Sequence, residues 1–171
     1  MTLDPNRFDD LLRQCGRSAL HLEMRDGYMH SDPAFVDWRA GRPVDPAARW
    51  PQWFAMVAEA GERGVVVRRL RIVSEPVSDY VRFEYEITDG LNVAAGEEVR
   101  WLPRRLATDI ALPGNDFWLF DGRLLLVNHF DGNGEPTPPE LTKDRHVLQL
   151  CAAAFETAWA RATPHAEYRP A

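Results

Sequence analysis

The chain has 171 residues, 45% hydrophobic and 11% aromatic, with a formal net charge of -6. This is ample material for one domain with its own core, too short for two ordinary domains, and too apolar for an intrinsically disordered segment. The acidic balance, with Lys143 the one lysine, disfavours a grip on phosphate backbones or anionic lipid, so no direct nucleic-acid or membrane partner is expected.

Three Asp-Pro pairs, Asp4-Pro5, Asp32-Pro33 and Asp45-Pro46, each set an N-cap side chain before the residue best tolerated at a first helical position, and each predicts a helix start. After the first, Phe8, Leu11, Leu12 and Cys15 keep a helical stripe that ends near Gly16. Ala19 to Tyr28 alternates Leu20, Leu22 and Met24 against His21, Glu23 and Arg25, which predicts a short strand ending at Asp26-Gly27. After the second pair, Phe35 and Trp38 precede Gly41. After the third, Trp50, Trp53, Phe54 and Val57 form an aromatic stripe that reads as core, with Pro51 interrupting its start.

Strand patterns follow at Val65 to Val73, Val81 to Thr88 and Glu98 to Pro103. Asp116 to Phe120 and Arg123 to Phe130 predict a hairpin across Asp121-Gly122, a dipeptide suited to positive φ angles. The unbroken run Leu124 to Val127 predicts a central strand covered on both faces. Asp131 to Pro139 is a Gly/Pro-rich loop, and from Asp144 the positions Val147, Leu148, Cys151, Ala154, Phe155, Ala158 and Trp159 predict a long helix closed by Pro164. The fold expectation is a single α/β (α+β) domain over residues 1–171, with a mixed, largely antiparallel sheet flanked by N-terminal aromatic helices and a long C-terminal helix.

The N-terminus lacks a basic segment followed by an apolar run, and no apolar stretch approaches the ~20 residues that span a bilayer, so a cytoplasmic location is expected. Cys15 and Cys151 fall on helical stripes and read as reduced core thiols. The five histidines are scattered without ligand spacing, and glycine-rich phosphate loops and nucleophile motifs are missing, so no metal or cofactor is expected.

The richest charged stretch is Arg69 to Glu86. Read as two strands joined by a turn at Glu75, it places Arg82, Glu84 and Glu86 on one face, opposite Val81, Phe83, Tyr85 and Ile87. Such a row is either a cross-strand charge lattice or the wall of a cleft. In the second case Arg71, Glu75, Tyr80, Arg82 and Asp116 form the candidate site for a ligand or partner. Asp121 serves its turn. An alternative is a small hydrolase using Glu75, Asp116 or His129 as acid or base.

The segments His21-Leu-Glu-x-Arg-Asp-x-Tyr28, Phe35-x-x-Trp38, Arg69-x-Arg71-x-Val-Ser-Glu-Pro76, Arg100-Trp-Leu-Pro-Arg104, Leu112-Pro-x-x-Asp-Phe-Trp-Leu-Phe-Asp121 and Trp159-x-x-Ala162-x-Pro-His165 together resemble an actinobacterial family of unknown function (DUF6879-like). That resemblance implies genes beside helix-turn-helix regulators and short acidic proteins, and hence a regulatory or protein-interaction role with such a protein as partner. It brings no catalytic residues. The back half also resembles, loosely, non-catalytic phospholipase-D-like domains. Active members of that superfamily use a His-x-Lys pair, whereas Leu141 stands two residues before Lys143, so that resemblance implies a degenerate, inactive arrangement.

Overall fold

In the computed structural model, residues 5–171 are described, with side chains from Phe8 onward. In chain order the elements are α1 (Pro5–Gln14), β1 (Ser18–Glu23), α2 (Pro33–Arg39), α3 (Pro46–Arg49), α4 (Pro51–Glu62), β2 (Val66–Val73), α5 (Asp79–Thr88), a π-helical turn (Asp89–Val93), β3 (Glu98–Pro103), β4 (Asp116–Phe120), β5 (Leu124–Asn128), β6 (Glu140–Thr142), α6 (Arg145–Arg161) and β7 (Thr163–Pro164). The strands form one open sheet in the order β6-β5-β4-β1-β2-β3-β7. The β1–β2 and β2–β3 pairs are parallel and the other four are antiparallel. The expected mixed, largely antiparallel sheet is therefore built around a parallel centre.

The helix starts follow the capping logic. Asp32 accepts from the Ala34 amide at 2.7 Å and Asp45 from Ala48 at 3.3 Å, while Asp144 accepts from His146 and Val147 at the head of α6. Asp4 lies outside the described residues. Pro51 splits the third predicted helix into α3 and α4, because a ring that removes an amide and clashes with the preceding turn starts a helix more readily than it continues one.

The two faces of the sheet follow from strand alternation. Leu20, Leu22, Leu70, Ile72, Leu102, Phe117, Leu119 and Leu125 point toward α6, meeting Cys151, Phe155, Ala158 and Trp159. Ala19, Val67, Trp118, Phe120 and Leu126 point the other way, against Phe8 and Leu12 of α1 and Val57 and Ala60 of α4. Leu125 and Leu126 thus enter opposite cores, as the continuous apolar run of β5 requires, although this strand lies next to the sheet edge. Both thiols are free and buried.

The β4–β5 hairpin forms with Asp121 (φ 51°) and Gly122 (φ 69°) at positive φ as expected, but its connection has three residues and not two: Phe120 pairs with Leu124, and the Arg123 amide closes the turn on the Phe120 carbonyl at 2.9 Å. Asp121 does more than turn the chain. Its carboxylate accepts from the amides of Gly16 (3.0 Å), Arg17 (2.7 Å) and Ser18 (3.0 Å), and from Cys15 Sγ (3.1 Å). Burial works against the charge, yet these donors prevail and hold the carboxyl below its ordinary range. One side chain therefore ties the α1–β1 corner to the hairpin.

One prediction is overturned. Val81 to Thr88 is the body of α5, not a strand. Ser78 caps the helix by accepting from the Val81 amide at 3.1 Å, and Asp79 lies in the first turn, where the helix dipole favours an anion. The buried set, Tyr80, Val81, Phe83, Glu84, Ile87 and Thr88, has helical spacing. The charge row consequently does not exist. Arg82 and Glu86 are exposed, while Glu84 is buried.

Candidate functional site

At the carboxyl ends of β1 and β2, beneath α5 and the π-helical turn, lies a cavity of about 600 Å³. Openings in this position recur in α/β folds, because loops diverge where parallel strands end. Its floor is the polar face of three adjacent strands: His21 and Glu23 from β1, Arg69 and Arg71 from β2, and Asp116 and Trp118 from β4. Tyr80, Phe83, Glu84 and Ile87 descend from α5, and Leu91 and Asn92 follow from the π-helical turn. Such turns widen a helix locally and redirect side chains, often at functional sites. Tyr28, Trp50, Trp53 and Phe130 complete a largely aromatic wall. The stripe read as core is thus divided: Val57 is buried in the core, while Trp50 and Trp53 are only half-buried and face the opening.

The floor is an ion-pair network. Glu23 accepts from Arg71 Nε at 2.7 Å, from Arg69 Nη1, and lies 3.0 Å from His21 Nε2. Arg69 also donates to Glu97 at 2.8 Å, and Glu97 accepts from Asn92 (2.7 Å) and Trp53 Nε1 (3.0 Å). The Arg69 guanidinium lies between the rings of Trp53 and Trp118, 5.4 and 5.5 Å from their centroids. His21 stacks on Trp118 and its Nδ1 lies 2.8 Å from the Phe117 carbonyl. Buried charges persist only when paired and hydrogen-bonded, and here the pairing is complete for Glu23 and Glu97. Burial would raise both carboxyls, but the adjacent arginines outweigh it and lower them, Glu23 well below its ordinary value.

Two carboxyls go the other way. Glu84 is 8% exposed, and its nearest cation, Arg71 Nε, is 3.9 Å away, beyond hydrogen-bonding reach. Burial, with Glu23 close by and only partly offset by Arg71, pushes Glu84 up to about 8. Asp116 accepts from the Met24 amide at 2.9 Å and from the Tyr28 hydroxyl. Its burial outweighs the Tyr28 bond and raises it to about 6. Tyr28 and Tyr80 are raised as well, first by burial and then by neighbouring carboxylates.

Of the five candidate residues, the fold brings Arg71, Tyr80 and Asp116 into this cavity. Glu75 lies elsewhere, accepting from the Tyr168 hydroxyl at 2.8 Å, with Arg105 3.8 Å away. Arg82 is exposed on the outer side of α5. His129 reaches the cavity lining just past the end of β5, with Glu140 3.4 Å from its Nε2. Glu75, Asp116 and His129 therefore do not share one pocket. Sequence reasoning missed His21, Glu23, Arg69, Glu84, Glu97 and Asn128. The available signal was that two strands, each with a polar residue at every second position, had to be covered by aromatic helices, which makes those polar faces interior. Among the described residues no group of three or more His, Cys, Asp or Glu is placed to hold a metal ion, and no helix is long and apolar enough to cross a membrane.

No curated protein is a significant match to the sequence. Among solved structures, the fold is similar to TrmBL2, described as an archaeal chromatin protein with a novel mode of DNA binding (TM-score 0.50, 14% identity, 92% of this chain and 49% of that one). The chain thus spans about half the length of that protein. It is also similar to Nuc from Salmonella typhimurium, a phospholipase D family member (TM-score 0.51, 11% identity, 97% of this chain and 94% of that one). At these identities the likeness concerns the fold alone, and it agrees with the phospholipase-D-like architecture. A family model described as a domain of unknown function matches residues 6–170, and the chain belongs to that family, DUF6879.

Proposed function

We propose that this domain is a non-enzymatic regulatory module that binds a small molecule in the cavity above β1, β2 and β4 and reports its occupancy to a protein partner. The observation that supports this reading is the cavity itself. A volume of about 600 Å³, walled by aromatic rings and holding a few convergent polar groups, has the size and character of a small-molecule site. Resemblance to a family associated with helix-turn-helix regulators and short acidic proteins supports one of these as the partner. In this reading α5 carries the signal, since Tyr80, Phe83 and Glu84 face the cavity while Arg82 and Glu86 of the same helix are exposed.

The hydrolase alternative retains one favourable observation: Asp116, held at about 6 and bonded to Tyr28, shares the cavity with His129. Against it, the described lining holds no Ser, Cys or Lys, and Glu23 and Glu97 are locked to arginines that hold them below their ordinary range and so make them weak bases. A thermal-melting screen of the purified domain against a metabolite collection, followed by calorimetry and product analysis on each hit, tests both readings. Saturable one-to-one binding without turnover is expected. Turnover that disappears in Asp116→Asn would favour the hydrolase, and a screen with no stabilising compound would count against either.

A further inference from the structure

The cavity's unmet groups define the chemistry of what it takes. Among the described residues the Glu84 carboxyl receives no hydrogen bond, although the residue is 8% exposed and lines the cavity. Asn128, 7% exposed and part of the same lining, has its Oδ1 buried without a partner. Buried acceptors left in this state are uncommon, and each costs free energy until a donor arrives. The nearby guanidinium groups are engaged with other partners: Arg69 with Glu23 and Glu97, and Arg71 through Nε with Glu23 and through Nη1 with Thr88 Oγ1 at 2.7 Å.

Charge points the same way. The groups facing Glu84 are Glu23 from β1, Arg69 and Arg71 from β2, and Asp116 from β4, with Tyr80 one turn before it on α5. With Glu97 behind Arg69, four carboxyls stand against two guanidinium groups. An anionic ligand would meet that surplus, and a neutral one would give Glu84 at most a hydrogen bond without compensating its charge. The walls at Trp50, Tyr80, Phe83 and Phe130 offer ring faces, which attract cations.

We propose that the ligand is an organic cation, a protonated amine or amidine on an apolar or aromatic body, with its charged head at Glu84 and its body against the rings. This rests on the small-molecule reading above and deepens it. Because Glu84 is held protonated up to about 8, the cation displaces that proton into solvent on binding.

The test uses three probes of one shape and three charges: benzamidine, benzamide and benzoate. Each is titrated calorimetrically into the wild type and Glu84→Gln, in buffers of different ionisation enthalpy. The wild type should bind one benzamidine per chain, roughly tenfold or more tighter than benzamide, and release a proton; benzoate should not bind. Benzamidine affinity should rise by roughly fifty-fold between about pH 6 and pH 8, as Glu84 ionises. Glu84→Gln, an isostere of the protonated side chain, should melt no lower than the wild type at neutral pH, yet lose both the preference and the pH dependence. Equal binding of benzamide, preferred binding of benzoate, no binding of benzamidine, or an undiminished preference in Glu84→Gln would overturn the cation assignment. The metabolite screen separates the two claims: a neutral or anionic hit removes the cation and keeps the pocket, whereas no hit removes both.

Discussion

Replacing Glu84 by Gln should change how stability depends on pH even with no ligand present. A carboxyl whose folded pKa lies above its unfolded value keeps its proton in the native state while the unfolded chain loses it. Native stability therefore falls as pH rises from the ordinary 4.5 toward about 8, and levels off above that. The full displacement corresponds to an upper bound of roughly 5 kcal/mol. Asp116 acts in the same direction but only from 3.8 to about 6, so the interval from about pH 6 to pH 8 isolates Glu84. Within it, one proton difference is worth about 2 to 3 kcal/mol, or roughly 5 to 10 °C in melting temperature for a domain of this size. The Gln variant should match the wild type near pH 4 and become progressively more stable above it, the gap widening by about 2 to 3 kcal/mol between pH 6 and pH 8. The assay is urea denaturation of both proteins at half-unit pH steps, followed by tryptophan fluorescence. Parallel curves would show that Glu84 ionises freely in the native state, and the account of the cavity as a place of unmet acceptors would fail.

Three further predictions concern the frame around the site. Asp121→Ala should destabilise by about 3 to 5 kcal/mol, because it strands the amides of Gly16, Arg17 and Ser18 and puts Ala at φ 51°; Asp121→Asn should recover part of this, and a loss under ~1 kcal/mol in denaturant melting would remove Asp121 as the tie between α1–β1 and the hairpin. Trp159→Ala should cost about 3 to 5 kcal/mol, since the ring is 6% exposed, stacks on Phe155 and lies under the guanidinium of Arg100; a melt shifted by less than ~1 kcal/mol would mean the ring is not part of the α6 core. Arg82→Ala should stay within about 0.5 kcal/mol and leave small-molecule affinity unchanged, as its side chain is exposed and outside the cavity lining; weakened binding of a regulator partner by that variant would instead mark outer α5 as the docking face.

Much of the fold was legible because local chemistry and burial agreed. Asp32, Asp45 and Asp144 cap helices where their neighbours ask for caps, and Asp121-Gly122 supplies the positive φ angles its hairpin needs. At α5 the two signals conflicted. Val81, Phe83, Tyr85 and Ile87 alternate as in a strand, yet Tyr80, Phe83, Glu84 and Ile87 also keep a helical period, and the cap at Ser78 with Asp79 in the first turn decides between them. The misreading moved the site: taken as a strand, Arg82 and Glu84 share a solvent face, whereas on the helix they lie on opposite sides. Arg71, Tyr80 and Asp116 were found because charge or hydroxyl stood beside apolar runs. Glu23, Arg69 and Glu97 were not, because a charged residue alternating along a strand reads as solvent-facing until tertiary packing covers it. Their mutual pairing joins residues far apart in sequence, at the ends of β1, β2 and the α5–β3 connection.

The central claim is that the cavity over β1, β2 and β4 receives a small molecule, and the six tryptophans report on it directly. Their indole N–H signals are assigned by single Trp→Phe replacements and followed by NMR as a hit from the metabolite screen, or benzamidine, is added. Trp50, Trp53 and Trp118 line the cavity, whereas Trp101 packs beside Tyr168 and Trp159 projects from α6 onto the other face of the sheet. The account predicts saturable shifts at Trp50, Trp53 and Trp118 with Trp101 and Trp159 unmoved. Saturable shifts at Trp101 or Trp159 with the three cavity indoles unchanged would place the ligand elsewhere and contradict it.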